Sequence, residues 1–353
     1  MRFGTYYFLQ APPGRSTADI VAEEVEQMVL SEELGFDSVW LTEHHFADYG
    51  VSSAPAVLAA TVAARTERVN IGLAVFVIPF HHPLRLAEEI ATIDILSKGR
   101  LVAGLGRGNR PLEFVGHGIR QERSRDYLEE GVEVLLQAWT KDRVEFHGKV
   151  WDFDGIPVHP KPLTKPHPPL AFAVTSPEST RWIGLKGFAM LSSGLNTPLP
   201  GLLKQREAYE QALREGGHSQ QSIDALLARW VVSKHVYVAP TDEEAQAEAR
   251  DPELWFLDAF CRSMSPIGLK DIDQGVYKQA TEAMQRISSH TWEELLDSAL
   301  IIGSPETVRR KVGQLAEAGV GEMLCWMNFG GIPPDKARRS MKLFVDEVMP
   351  AFR

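Results

Sequence analysis

The sequence predicts an α/β protein, a TIM (β/α)8 barrel with insertions, and three observations carry that prediction. Short apolar runs of strand length alternate with amphipathic helical stretches from the first residues to the last. Eight such runs can be counted. Polar, titratable or glycine-rich residues follow several of the runs at once, the pattern of a barrel whose working groups sit at the carboxyl ends of its strands. The 353 residues fit one barrel of about 250 residues with insertions.

Taken in order, residues 2–9 form the first strand, and Ala11-Pro12-Pro13-Gly14 breaks it before a helix over 17–34. Residues 36–41 are a second apolar run, followed by Thr42 to His45 and a helix over 53–65. A third run spans 69–78. A helix then starts at Pro83 and ends near Ser97-Lys98-Gly99, and residues 100–105 run as a fourth strand into Gly104-Leu105-Gly106-Arg107-Gly108-Asn109. A helix over 123–140 carries Tyr127, Leu128, Val132, Leu135, Leu136 and Trp139 on one face. Residues 144–151 alternate around Gly148 as a hairpin, and a proline-rich crossing over 157–169 returns the chain to the barrel. Strands at 170–174 and 189–191 flank a helix at 177–186, and another helix covers 203–215. Strands at 230–238 and 320–326 complete the count, separated by helices that include 243–250 and 305–318. Between 251 and 299 the alternation lapses, with helical patterns at 276–286 and 292–300; this insertion is either a lid on the active site or outer decoration. The expected organisation is one domain over 1–353 with insertions near 141–169 and 251–299.

Composition narrows the function. The chain is 44% hydrophobic and 24% charged, with a formal net charge of −10 and no basic block, which argues against a nucleic-acid partner and for a small molecule. Two cysteines, Cys261 and Cys325, allow at most one bridge, so no disulfide framework supports the fold. No secretory segment opens the sequence and no run of about 18 apolar residues occurs, so a cytoplasmic protein without a membrane partner is expected.

Glu43-His44-His45 is the leading candidate for chemistry. Histidine moves protons near neutral pH, and a neighbouring carboxylate sets its tautomer and pKa. A metal site is disfavoured, because adjacent residues on an extended chain point to opposite sides. His81-His82-Pro83 reads as a helix boundary, its histidines capping the helix or lining a rim. The loop from Gly104 to Gly108 lacks the third glycine of a dinucleotide fingerprint, but it lets backbone approach a flat ring or a phosphate. Arg107 there suits a phosphate or, alternatively, an ion pair at the rim. Thr175-Ser176-Pro177-Glu178-Ser179-Thr180 follows a strand and opens a helix, an anion-binding arrangement or an ordinary cap.

Met1-Arg2-Phe3-Gly4, Gly35-Phe36-Asp37 through Glu43-His44-His45-Phe46, Ser97-Lys98-Gly99-Arg100 and Ser340-Met341-Lys342-Leu343-Phe344 occur in the order seen in the luciferase-like flavin monooxygenases, which the chain resembles. The likeness is greatest to the alpha subunit of bacterial luciferase. It implies a catalytic role for His44, with Glu43 and His45 in support. It implies FMN bound through Gly106, Arg107, Thr175, Ser176 and Thr180, and a non-prolyl cis peptide at Ala74-Val75 beneath the flavin ring. The implied reaction uses reduced FMN from a separate flavin reductase and O2, through a flavin C4a-hydroperoxide, to oxidise a small organic substrate. An F420-dependent oxidoreductase on the same barrel and a non-catalytic flavin-binding protein are the alternatives. The family's habit of dimerising points to a homodimer. Two departures stand out: Gly106 replaces luciferase's reactive cysteine and Gly194 replaces a tryptophan near the ring, which suggests a roomier pocket and no light emission.

Overall fold

The computed structural model of the chain describes residues 1–195, 197–265 and 290–353. Eight parallel strands close on themselves: β1 (Arg2–Tyr7), β2 (Ser38–Leu41), β3 (Asn70–Leu73), β5 (Leu101–Gly106), β8 (Leu170–Val174), β9 (Ala189–Ser193), β10 (Val231–Val238) and β12 (Glu322–Trp326). The β10 strand pairs with both β9 and β12, and β12 pairs with β1, so no edge is left open within the ring. The eight expected strands are the eight of the barrel.

Helices cover the outside because each carries one apolar stripe. α1 (Thr17–Leu34) is capped by Ser16 and ends at Gly35, whose φ of 91° continues the chain where a side chain would be strained. α2 (Pro55–Arg65), α3 (Pro83–Leu96) and α5 (Ser124–Thr140) follow, and their buried faces join one core with the outward-facing strand residues, among them Val39, Ile71, Leu101 and Val232. A second core fills the barrel itself and includes Tyr6, Phe8, Trp40, Leu324 and Trp326. At the N-terminal end Glu322 closes the barrel, accepting from Ser38 and Trp40 and pairing with Arg2 at 2.9 Å.

Four features depart from the sequence reading. The third strand is not continuous: it stops at Leu73 and resumes as β4 (Phe76–Val77), with the Ala74-Val75 peptide in the cis form between them. The expected hairpin is present as β6 (Val144–His147) against β7 (Asp152–Ile156), with the turn extended through residue 151. The alternation does not lapse at 251, because α9 (Asp242–Met264) runs on through Pro252. Beyond a helix at Trp292–Ser298, β11 (Ile301–Gly303) adds a short strand to β10 that the apolar pattern was too brief to reveal. The helix Trp292–Ser298 matches expectation, whereas the one expected at 276–286 lies outside the described residues. Among the described residues no helix is long and apolar enough to cross a membrane.

Candidate active site

The carboxyl ends of β2, β3, β5 and β8 open onto one cleft enclosing about 820 Å³, part of it open to solvent. Strand geometry places Glu43 and His44 at the head of β2, where both line the cleft. Ala74, Val75 and Val77 contribute from the interrupted third strand, and Gly106 and Arg107 from the end of β5. Thr175 and Ser179 come from the β8 end, and Leu128, Phe172 and Trp182 supply apolar wall.

Adjacent residues at the head of β2 are pulled to different partners. Glu43 is 2% exposed, and its Oε1 accepts from His45 Nε2 at 2.9 Å and from His81 Nε2 at 2.9 Å. The Val77 N–H donates to its other oxygen at 2.8 Å. Burial alone would raise the Glu43 pKa, but these donors and the His81 charge outweigh it and hold the carboxyl at about 2. His81 accordingly is raised, burial working against it and Glu43 prevailing. With both carboxylate oxygens engaged by hydrogen-bond donors, Glu43 anchors this loop against the third strand.

His44 faces a different carboxylate. Its Nδ1 lies 3.0 Å from Glu113 Oε1, and the His45 N–H donates to that same oxygen at 3.1 Å. Burial would raise Glu113 as well; His44, Arg110 and the His45 amide instead lower it, so it is an ionised acceptor and Nδ1 must carry the proton. The lone pair of His44 is thereby placed on Nε2. Burial lowers the His44 pKa and Glu113 offsets part of that effect, which leaves a neutral imidazole at neutral pH. Its ring stacks on Phe8 at 5.3 Å and meets Tyr49 edge-on at 4.9 Å, while Phe8 stacks in turn on Trp326 at 3.9 Å. The rotamer is therefore fixed by two aromatic neighbours, one of them backed by Trp326, as well as by Glu113.

Arg107 and Arg125 both line the cleft beside Thr175 and Ser179. Arg125 is the one engaged in ion pairs, with Glu178 at 2.9 Å and Glu129 at 3.4 Å, while Arg107 forms no ion pair among the described residues. Ser176 is the N-cap of α6 (Pro177–Lys186), its side chain accepting from the Ser179 N–H in a reciprocal capping box. Thr180 is 1% exposed and donates to the Ser176 carbonyl at 3.0 Å. Thr175 and Ser179 thus line the cleft, while Ser176 and Thr180 shape the helix start behind them.

The Ala74-Val75 cis peptide is held from the barrel interior, where Tyr6 donates to the Ala74 carbonyl at 3.1 Å. The roomier pocket expected from the departures at Gly106 and Gly194 finds no support in the packing at either glycine. A Cβ on Gly106 would stand 2.4 Å from Val75 Cγ2, so Val75 already fills the space that a larger residue would take. A Cβ on Gly194 would stand 2.7 Å from the Ser233 carbonyl, so this glycine serves close strand packing and enlarges nothing.

Sequence reasoning missed Glu113 and Arg125, named Ser179 only as part of the stretch from Thr175 to Thr180, and set His81 aside as a boundary residue. His82, not His81, occupies the helix boundary, and it makes no side-chain cap. A glutamate at the third position of α4 (Pro111–Gly116), close to the end of β5, was the only local hint of Glu113. The others are recognisable only once strands and loops are assembled.

Residues 1–322 match the protein family described as luciferase-like monooxygenase. The chain is 28% identical to the alkanal monooxygenase alpha chain of Photorhabdus laumondii subsp. laumondii, covering 99% of this chain and 97% of that one. It is 25% identical to the oxygenase component of the flavin-dependent trigonelline monooxygenase of Acinetobacter baylyi, covering 100% and 96%. Its fold superposes on the monooxygenase RslO1 of Streptomyces bottropensis with a TM-score of 0.84 at 25% identity, over 100% of both chains.

Proposed function

We propose, from the premise that this chain belongs to the luciferase-like monooxygenase family, that it is the oxygenase of a two-component FMN-dependent system acting on a small organic substrate. The observation that carries this reading is a single cleft lined at once by the Arg107, Arg125, Thr175 and Ser179 group and by the His44–Glu113 pair. The first group suits a phosphate, since arginine forks and hydroxyls satisfy several of its oxygens together. The second suits proton handling. Val75 and Gly106, packed against each other on the cleft wall, offer a surface for a flat ring.

Bound FMN in its reduced form supplies the electrons by which one atom of O2 enters the substrate. The protein's own part is narrower. Arg107 and Arg125 fix the phosphate end, and Leu128, Phe172 and Trp182 keep water from the ring. His44, locked by Glu113 with its lone pair on Nε2, takes or returns a proton there; Glu43 and His45 hold the loop that presents it.

The Acinetobacter relative is named an oxygenase component, and we carry that organisation over: a separate flavin reductase delivers the cofactor. With it we propose a cytoplasmic location, which both free thiols suit. A homodimer is proposed as well, formed across α2 and α3. Ala56, Ala60 and Ala64 there permit close approach beside Val57, which is 64% exposed, and Arg85, Glu88 and Glu89 offer self-complementary charge.

Anaerobic titration with reduced FMN and with reduced F420, followed by admission of air, tests the cofactor. Tight binding of reduced FMN and its delayed reoxidation on the protein are expected; preference for F420, with no reaction on aeration, would replace this reading by a hydride-transferring oxidoreductase.

A further inference from the structure

A second pocket, enclosing about 800 Å³ and partly open to solvent, shares Glu113 with the cleft. His45, Phe46, Leu112, Glu113, Arg262 and Ser263 line it, with Arg110 also on its wall. Its two arginines are in opposite electrostatic conditions. Arg262 is neutralised twice, by Asp48 at 3.0 Å and by Asp258. Arg110 is 5% exposed and forms no ion pair among the described residues. Its guanidinium donates to the Ser263 hydroxyl and has the Tyr49 hydroxyl as a second partner, and among the described residues its buried Nε has none. The guanidinium lies 3.9 Å above the Tyr49 ring and 5.2 Å from that of Phe260.

A buried cation is tolerated when an anion and hydrogen-bond acceptors meet it. Two aromatic faces and two neutral hydroxyls stabilise the guanidinium only in part, since neither supplies a counter-charge. Glu113, the carboxylate on this wall, is already engaged by His44 and by the His45 amide. We propose that Arg110 recognises a carboxylate on the organic substrate, with the substrate's apolar body against Phe46 and Leu112. The fork of a guanidinium matches a carboxylate in two parallel hydrogen bonds. Phe46, 57% exposed and held at a φ of 61°, presents the apolar surface at the mouth. A substrate anchored there lies beside Glu113, the residue that this pocket shares with the cleft and that holds His44. The assignment rests on the reading that places the flavin phosphate at the Arg107 and Arg125 end.

Benzoate and its uncharged counterpart benzamide are the probes, titrated by calorimetry into the full chain with and without FMN. Benzoate is expected to bind at least about tenfold more tightly than benzamide, the scale of one lost charge-assisted pair. Arg110→Met should make the two equal, while Arg107→Met should leave the preference intact. Equal binding of both probes to the parent, no benzoate binding at all, or a preference that survives Arg110→Met overturns the proposal. A preference lost in Arg107→Met and kept in Arg110→Met also overturns it, by placing the anion at the cofactor end. FMN affinity in the same variants separates the two readings: a fall in Arg110→Met with none in Arg107→Met refutes the phosphate assignment. If Arg110→Met fails to fold, Arg110→Lys keeps the charge without the fork; it should weaken benzoate several-fold and leave benzamide unchanged, and full retention of benzoate affinity overturns the proposal.

Discussion

Glu113 holds His44 and the backbone of His45 through one carboxylate oxygen, at 3.0 Å from Nδ1 and 3.1 Å from the amide nitrogen. A single ionised group thereby sets both the tautomer of the imidazole and the path of the loop that carries it. His44 follows β2 and Glu113 lies in α4, 69 positions apart.

Replacing His44 by Ala should separate binding from chemistry. The phosphate end of the cleft draws on the ends of β5 and β8 and on α5, and His44 contributes nothing to it, so FMN affinity should stay within a few-fold of the parent. General acid or base assistance is worth about 10² to 10⁴ in rate, and its loss should divert O2 consumption to hydrogen peroxide. Stopped-flow reoxidation with peroxide detection reads both; unchanged coupling and rate would make His44 a structural histidine.

Glu113→Gln keeps the shape and removes the charge. A carboxylate beside an imidazole favours the imidazolium, so its loss makes protonation harder and lowers the His44 pKa further below its ordinary value. The limb of the pH–rate profile set by His44 should therefore move to lower pH, with a fall in kcat larger than any rise in KM. A limb that stays in place assigns it to another group.

Arg107→Ala should weaken FMN more than riboflavin. Losing a charge-assisted hydrogen bond to phosphate costs about 1.5 to 3 kcal/mol, and riboflavin has no phosphate to lose. Equilibrium dialysis of the two flavins against parent and variant gives the comparison, and equal losses remove the phosphate assignment.

The Glu43–His81 pair makes stability depend on pH in a definite direction. Glu43 falls from an ordinary 4.5 to about 2 on folding, so its contribution is complete above pH 4.5 and is lost as the pH falls toward 2. His81 is raised on folding, so its contribution is complete below 6.5 and is lost as the pH rises through its folded value. Urea midpoints should thus show this pair at full strength between pH 4.5 and 6.5, and Glu43→Gln should flatten the acid side of the profile. An acid limb identical in parent and variant excludes Glu43 as its source.

Assembly is checked by sedimentation. The parent should run as a dimer at micromolar concentration and Val57→Arg as a 39.3 kDa monomer, because a charge at the centre of a self-complementary face meets its own copy. A monomeric parent removes the proposal.

Local pattern was enough for the barrel. Alternating apolar runs and helical stripes are properties of each segment by itself, so eight strands, the capped helices and Glu43-His44-His45 at a strand head were legible in one dimension. The strand over 301–303 escaped because three apolar residues carry no period, and α9 was cut short because Pro252 ordinarily ends a helix. Closure of the ring decided the rest. It brought Glu113 from the β5 end to His44, and His81 from the third strand to Glu43. It set Ser179 in the cleft where Ser176 and Thr180 had been expected, and it left Arg110 buried without an ion pair among the described residues. A side chain's partner across a barrel is fixed by which strand ends become neighbours, and sequence distance holds no record of that. The sequence alone determined which residues could do chemistry; the tertiary structure determined which of them meet.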